Sequence, residues 1–175
     1  MNVRMQSLEV PRELVQFDSE LVRLVVFRIE EQRYALHLSS VDRALRAVLV
    51  TPLPNAPAIV LGVINVEGRV IPVVDTRARL GLTKREVRTG DVLILARTPK
   101  RAVALTADAV VGLLERETGQ LQSAASILPD VPFLQGVAKL EDGLVLIHDL
   151  ALFLSLDEER KLDVAMADAN PLRSL

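Results

Sequence analysis

The chain has 175 residues, half of them hydrophobic and only 3% aromatic, so its core should consist mainly of aliphatic side chains. A formal net charge of −2 and the absence of cysteine exclude the basic footprint of a nucleic-acid-binding protein, disulfides and thiolate metal ligands. The first residues are too polar for a secretory signal, and no run of about 18 uncharged apolar residues predicts membrane insertion, so we expect a cytoplasmic protein.

The N-terminal third predicts a tail followed by β-structure. Residues 1–20 are expected to form the tail, either with a short helix beginning near Pro11 or loosely held. Residues 24–38 alternate apolar and polar side chains on both sides of a polar break, which predicts a hairpin. Residues 39–45 are expected to contain a helical turn that the serines cap, and a rigid proline loop spans residues 51–57.

Residues 61–75 form the stretch around which the chain is organised. Two apolar arms rich in Val and Ile flank a polar centre, which predicts a hairpin. Gly68 tolerates positive φ and should lie in its turn. Pro72 cannot donate a hydrogen bond to a sheet, so its strand should be an edge strand or carry a bulge. Asp75 should cap the short helix or turn that follows.

The second half of the chain repeats this pattern. The residues that recur at a constant offset are Pro54, Pro57 and Gly68, matched by Pro129, Pro132 and Gly143. Only two copies are present, which indicates a duplicated small domain rather than a solenoid. We predict a first unit at residues 21–84, a second at 85–155, and two small antiparallel barrels or sandwiches.

The C-terminal region predicts short helices. Asp149 should cap a helix over residues 150–154, by analogy with Asp75. Ser155 and Glu158 have the spacing of a capping box, which predicts a helix from Leu156 to about Ala167. Residues 156–175 are therefore interpreted as a C-terminal helix and tail.

Residue patterns typical of catalysis are missing from the sequence. There is no glycine-rich phosphate loop, HExxH or GxSxG motif, and no histidine or carboxylate cluster has metal-ligand spacing. His148 and Asp149 are adjacent, so on a strand they would point to opposite faces, and we interpret both as structural. The sequence therefore predicts a binding module without catalytic residues, metal or cofactor. An enzyme remains the least supported alternative.

Two segments resemble the CheW family of chemotaxis adaptors. Residues 53–82, LPNAPAIVLGVINVEGRVIPVVDTRARLGL, follow the family signature of a proline loop and G-V-x-N-x-R-G-x-x-x-P-V-x-D-L. Residues 27–47 are similar to the opening hairpin of the family, and the likeness extends over about residues 22–155. The resemblance implies a mainly β fold, with two SH3-like five-stranded barrels packed together.

The resemblance also implies a function. Such adaptors are scaffolds without enzymatic activity, and they join the cytoplasmic coiled coil of a methyl-accepting chemoreceptor to the regulatory domain of a CheA-type histidine kinase. The kinase domain shares the double-barrel fold, and the receptor helix lies in a groove between the barrels. A CheW-like domain that binds and inhibits or titrates the kinase without coupling it to a receptor is the alternative.

The chain departs from the family signature at one pair of charges. Glu67 stands where the family usually has Arg, and Arg43 stands where the family usually has Glu. We hypothesise that the two form the family's ion pair with reversed polarity, which would affect partner choice and indicate a divergent pathway. Two unrelated solvated charges are the alternative.

The resemblance places six candidate receptor-binding residues around the groove. Val41 would supply apolar contact, Gly62 would permit close backbone approach, and the remaining residues would form or carry the ion pair. A purely structural role stays open for each of them. The candidates are Val41, Arg43, Gly62, Asn65, Glu67 and Gly68.

Overall fold

The computed structural model describes residues 20–169, so almost all of the predicted N-terminal tail and residues 170–175 lie outside the described residues. The described chain is mainly β, as predicted. Its strands are β1 (Leu21–Ile29), β2 (Gln32–His37), β3 (Val41–Arg46), β4 (Val60–Val66), β5 (Arg69–Val74), β6 (Val92–Arg97), β7 (Ala102–Ala107), β8 (Ala109–Glu117), β9 (Leu121–Ser123), β10 (Leu134–Leu140) and β11 (Gly143–His148). Its α-helices are α1 (Thr76–Arg79) and α2 (Leu156–Asp168).

The strands form two sheets. The first sheet has the order β8-β1-β2-β11-β10-β9, and the second sheet has the order β3-β6-β7-β5-β4. Most neighbours are antiparallel, whereas β2–β11 and β5–β7 are parallel. If β8, β1, β2, β11 and β10 are matched with β3, β6, β7, β5 and β4, the first five strands of the first sheet have the same order as the second sheet, and β9 is an additional sixth strand. This correspondence agrees with a duplicated β-module.

The sheets do not follow the predicted units 21–84 and 85–155. The hairpin β1–β2 of the first unit joins β8, β10 and β11 of the second, while β6–β7 joins β3, β4 and β5. The sheets cross the unit boundary because two parallel pairings join strands from different units: β2 pairs with β11, and β7 pairs with β5. The two copies of the module therefore exchange hairpins, and neither sheet forms from one contiguous unit.

The hairpin predicted around Gly68 is present as β4–β5. Glu67 and Gly68 form its two-residue turn with φ of 52° and 82°, which is the type I′ geometry favoured in hairpins. The side-chain Oδ1 of Asn65 accepts a hydrogen bond from the backbone N–H of Gly68 at 2.9 Å and supports this turn. Pro72 was expected on an edge strand or a bulged strand, but β5 is an interior strand and the bulge lies in its neighbour β4. Pro72 is tolerated there because the parallel pairing of β5 with β7 starts only at Val73.

The predicted helix caps are confirmed, but one predicted helical turn is wrong. Asp75 accepts a hydrogen bond from the N–H of Ala78 at the start of α1, and Ser155 and Glu158 form the capping box of α2. Residues 39–45 form only a short 3-10 turn and then β3, because pairing with β6 satisfies the backbone better than an isolated helical turn would. Asp149 likewise caps a 3-10 turn rather than an α-helix.

The largest apolar cluster lies between the sheets. It combines Phe27 and Leu36 of the first sheet with Ile94 and Leu105 of the second, and α2 adds Leu162. Helix α2 is thus part of the core rather than an appended tail.

A partly buried ion cluster also ties the sheets together. Asp108, between β7 and β8, accepts hydrogen bonds from Arg77, Arg85 and the backbone N–H of Glu30. Burial opposes ionisation of Asp108, but the Glu30 N–H and the Arg77 guanidinium hold its pKa below the usual value. These contacts fix the relative position of the two sheets and therefore the shape of the grooves between them.

Candidate functional site

A cleft of about 300 Å³ opens where the two ends of the second sheet meet. β3 and β4 are the first and last strands of that sheet, so side chains of β3 face the β4–β5 hairpin across the cleft. We call this the charged cleft. It is lined by Asp42, Arg43, Val66, Glu67, Arg69, Ile71, Leu95 and Ala102.

The hypothesised ion pair spans the charged cleft. Arg43 Nη2 lies 3.0 Å from Glu67 Oε1, and the two side chains are 45% and 76% exposed. A pair this exposed contributes only about 0–1 kcal/mol to stability. The pair therefore exists with the predicted reversed polarity, and its accessibility suits recognition better than stabilisation.

The other candidate residues have roles within the chain. Val41 is half-buried and packs against the core between the sheets. Asn65 and Gly68 shape the turn that carries Glu67, as predicted. Gly62 is buried, and a Cβ added there would lie 2.1 Å from the backbone oxygen of Thr51. The close approach expected at Gly62 is therefore made by the chain itself.

The contact between Thr51 and β4 closes the second sheet. Thr51 and Val63 exchange two backbone hydrogen bonds of 2.9 and 2.8 Å. Because Thr51 follows β3 in the chain, this bridge joins the β3 end of the sheet to its β4 end. Gly62 thus belongs to barrel closure, which a sequence motif alone does not reveal.

A second cleft, of about 310 Å³, lies between the two sheets, and we call it the inter-sheet cleft. It adjoins the charged cleft, since Arg97 on its rim bonds through Nε to Asp42 Oδ1 at 3.0 Å. It is lined by His37, Ser40, Arg97, Thr98, Pro99, Gln135, His148, Asp149, Leu150 and Ala151.

His148, at the end of β11, is the unusual residue of the inter-sheet cleft. It is 2% exposed and packs against Tyr34, Phe133 and Phe153 with ring centroids 5.2 to 5.8 Å away. Neither ring nitrogen has a hydrogen-bond partner of good geometry among the described residues, although the backbone of Phe133 lies close enough to oppose part of the lowering of its pKa by burial. Burial lowers the pKa of His148 to about 4, so the ring is neutral at pH 7. Leaving a buried polar group unpaired costs about 1–3 kcal/mol.

Sequence reasoning also missed an exposed apolar loop. Residues 47–50 connect β3 to the proline loop, and Leu49 is 90% exposed. The loop borders a groove of about 710 Å³ that Leu61 and Val87 also line. The only signal in the sequence is the apolar run AVLV at residues 47–50. We call residues 47–50 the apolar loop.

Two further observations limit the functions open to the described residues. Within residues 20–169, no group of three or more histidine, aspartate or glutamate side chains is arranged to hold a metal ion. Over the same residues, no helix combines the length and apolar character needed to cross a membrane.

Comparison with known proteins gives consistent similarities. The family model of the CheW-like domain matches residues 23–158. Chemotaxis protein CheW of Rhizobium meliloti is 34% identical over 139 residues, covering 78% of this chain and 90% of that protein. The probable chemotaxis protein CheW of Rhizobium etli is 31% identical over 151 residues, covering 85% and 96%. The crystal structure of scaffolding protein TtCheW from Thermoanaerobacter tengcongensis superposes with a TM-score of 0.72 at 26% identity, covering 79% of this chain and 96% of that one.

Proposed function

The chain belongs to the CheW-like domain family, and we propose that it acts as an adaptor that couples a chemoreceptor to a CheA-type histidine kinase. The family consists of scaffolds without enzymatic activity. The observation that carries the coupling proposal is the presence of two separate surfaces of different chemistry, the charged cleft and the apolar loop. A coupling protein needs two such surfaces because it must hold both partners at once. The proposal places the protein in the cytoplasm, where both partners would be reached.

The charged cleft is the proposed receptor surface. Arg43 and Glu67 are exposed at its rim, and Val41 lies on the same edge strand as Arg43. A helix of the receptor coiled coil would meet the ion pair with its polar residues. Gly62, Asn65 and Gly68 would serve this surface indirectly, by holding the β4–β5 hairpin in place.

The apolar loop is the proposed kinase surface. Leu49 projects into solvent, and burying a leucine side chain stabilises a complex by about 1.5–3 kcal/mol. The resemblance gives the kinase regulatory domain the same double-barrel fold, so barrel-to-barrel packing through an apolar loop fits this partner. The rim of the charged cleft, by contrast, consists mostly of solvated charged side chains, which suit barrel-to-barrel packing less well.

Reconstitution tests the coupling proposal. Kinase autophosphorylation should rise when the protein and receptor fragments are added together, and should change little when either is added alone. A fall in kinase activity without receptor would instead support the alternative of an inhibitory or titrating domain. If the protein pulls down the receptor fragment but not the kinase, or the kinase but not the receptor fragment, the coupling proposal is wrong.

In the same assay, Leu49→Ser should weaken binding of the kinase without weakening binding of the receptor. We expect the affinity for the kinase to fall at least about tenfold, because the apolar contact is lost. Receptor affinity and the free energy of unfolding should change little, since Leu49 is exposed. Leu156→Ser, at an exposed leucine of α2, is the matched control. Equal effects of the two substitutions would remove the apolar loop from the kinase surface.

Exchanging the charges of the ion pair should alter partner choice. The double variant Arg43→Glu with Glu67→Arg restores the usual family polarity and should raise the affinity for conventional receptors relative to the protein's own receptor. Like-charge contacts penalise wrong partners at interfaces, and this accounts for the expected switch. Binding of both receptor fragments is measured by calorimetry.

The matched control is an exchange of Arg23 and Glu115, an exposed pair with a 2.9 Å contact on the first sheet. That exchange should leave both affinities unchanged. If the Arg43 and Glu67 exchange also changes neither affinity, the reversed pair does not select partners, and the proposed divergent pathway loses its support.

A further inference from the structure

We propose that residues 83–90 form a second wall of the kinase surface, and that the groove between them and the apolar loop binds a hairpin or loop of the kinase that carries acidic residues beside an apolar one. This inference rests on the proposed kinase surface and deepens it, because it names the chemistry of the partner segment. We call residues 83–90 the connecting segment, since they join α1 to β6 without a helix or strand of their own.

The groove has two walls of different character. The apolar loop lines one side, residues 85–89 of the connecting segment line the other, and Leu61 of β4 completes the lining. The volume of the groove, about 710 Å³, is more than twice that of the charged cleft, about 300 Å³. The groove therefore has room for several side chains, as the tip of a hairpin or loop would present.

Asp91 fixes the two walls relative to each other. Its backbone oxygen accepts a 2.9 Å hydrogen bond from the N–H of Ala47, where the apolar loop begins. Its carboxylate accepts hydrogen bonds of 2.7 and 2.8 Å from Arg85, and one of 2.7 Å from the backbone N–H of Arg88. Asp91 is only 8% exposed, and hydrogen bonds to an ionised carboxylate are stronger than neutral ones. One residue thus holds both walls in place.

Arg85 anchors the connecting segment to the rest of the molecule. Besides its bonds to Asp91, its Nη2 donates a hydrogen bond to Asp108 at 2.7 Å, and Asp108 belongs to the ion cluster between the sheets. A guanidinium can bridge two carboxylates because its donors are arranged in a rigid fork. Arg85 is therefore a positioning residue for the groove, and its charge is neutralised within the protein.

The exposed charges around the groove are mainly basic. Arg88 lines the groove, Arg46 and Lys84 immediately precede the two lining segments, and all three side chains are exposed. Among the described residues that line the groove, Glu86 is the only acidic one that is exposed. A partner segment with Asp or Glu beside its apolar contact would be attracted here, whereas a basic segment would be repelled. The charges therefore favour an acidic occupant.

The partner fold agrees with this occupant. The resemblance gives the kinase regulatory domain the same double-barrel fold, and the parts of a β-barrel that protrude are its hairpins and loops. Such a tip can place one apolar side chain against Leu49 and its acidic neighbours against the basic rim.

Charge reversal at the rim tests the inference. Arg88→Glu should lower the affinity for the regulatory domain of a CheA-type kinase encoded in the same genome about tenfold, and added salt should reduce the difference from wild type. Receptor affinity and thermal stability should stay unchanged, since the side chain is exposed. Arg160→Glu, at an exposed arginine of α2, is the matched control and should leave kinase affinity unchanged. In the kinase domain, each Asp and Glu is replaced by Lys in turn, and one replacement should restore binding to Arg88→Glu.

Arg85→Gln tests the positioning role. Loss of the bridge should speed amide hydrogen exchange over residues 83–90 and lower kinase affinity at least about fivefold, because the second wall is no longer held. Arg33→Gln is the matched control, since the Arg33 side chain has the same exposed fraction of 20% and a two-bond contact with Asp142 on the first sheet. It should change neither kinase affinity nor hydrogen exchange in the connecting segment.

The outcomes separate this inference from the proposed function. If Arg88→Glu and Arg85→Gln bind the kinase domain as wild type does, while Leu49→Ser does not, the connecting segment is not part of the surface and the inference is wrong. The apolar loop then remains the kinase surface. Failure of the wild type to bind the kinase domain would overturn the proposed function and this inference with it.

Discussion

Replacing Gly62 with alanine should lower the free energy of unfolding by about 3 kcal/mol or more, since overpacking and backbone strain each cost about 1–3 kcal/mol. The added Cβ would lie 2.1 Å from the backbone oxygen of Thr51, and a backbone atom cannot move aside as a flexible side chain can. Either the Thr51–Val63 bridge or the β4 bulge must give way. Chemical denaturation of the purified variant measures the loss.

Gly119→Ala is the matched control, because nothing lies within 4 Å of the added Cβ at that position. Its stability should stay within about 0.5 kcal/mol of wild type. A Gly62→Ala protein with wild-type stability would show that the bridge to Thr51 is not needed for closure. The role that the resemblance gives Gly62 would let a Gly62→Asp variant lose receptor binding with its fold intact. The structure instead predicts that any such loss follows from an opened barrel.

Acidification should destabilise the protein through His148, by about 2 kcal/mol between pH 7 and pH 5 and about 3 kcal/mol by pH 4. Burial lowers the pKa of His148 to about 4 in the folded state, whereas an unfolded chain has a histidine pKa near 6.5. Between these values the unfolded state binds the extra proton, so stability falls as pH falls. Denaturation midpoints measured across this range report the slope.

His148→Leu supplies the comparison, since it removes the titrating ring and should flatten the slope between pH 7 and pH 5. The pKa values of Asp91, Asp108 and Asp142 are lowered in the folded state, and their contributions are lost mainly at more acidic pH. Hydrogen bonding to Arg85 is the main cause at Asp91, and to Arg33 at Asp142. If stability falls equally with pH in wild type and variant, His148 has a hydrogen-bond partner or a bound water that keeps its pKa near the usual value.

Local patterns determined much of what the sequence predicted correctly. The turn at Gly68, the cap at Asp75 and the capping box of Ser155 each depend on residues only a few positions apart. Such features follow from backbone geometry and nearby hydrogen bonds, which a short stretch of sequence contains. The motif likewise pointed to the contact between Arg43 and Glu67, because the family resemblance supplied a spatial relation that spacing alone could not.

Tertiary structure alone decided which strands share a sheet and what the groove residues do. The exchange of hairpins depends on the β2–β11 and β5–β7 pairings, which join residues far apart in the chain. The Thr51–Val63 bridge places Gly62 against Thr51, and the assembled fold buries His148 among aromatic rings while leaving Leu49 in solvent. The amino-acid sequence determined the strands, turns and caps, since those depend on neighbouring residues. Burial, closure and the two clefts arise only when distant strands pair, because the free energy of those contacts belongs to the assembled sheets rather than to any one segment.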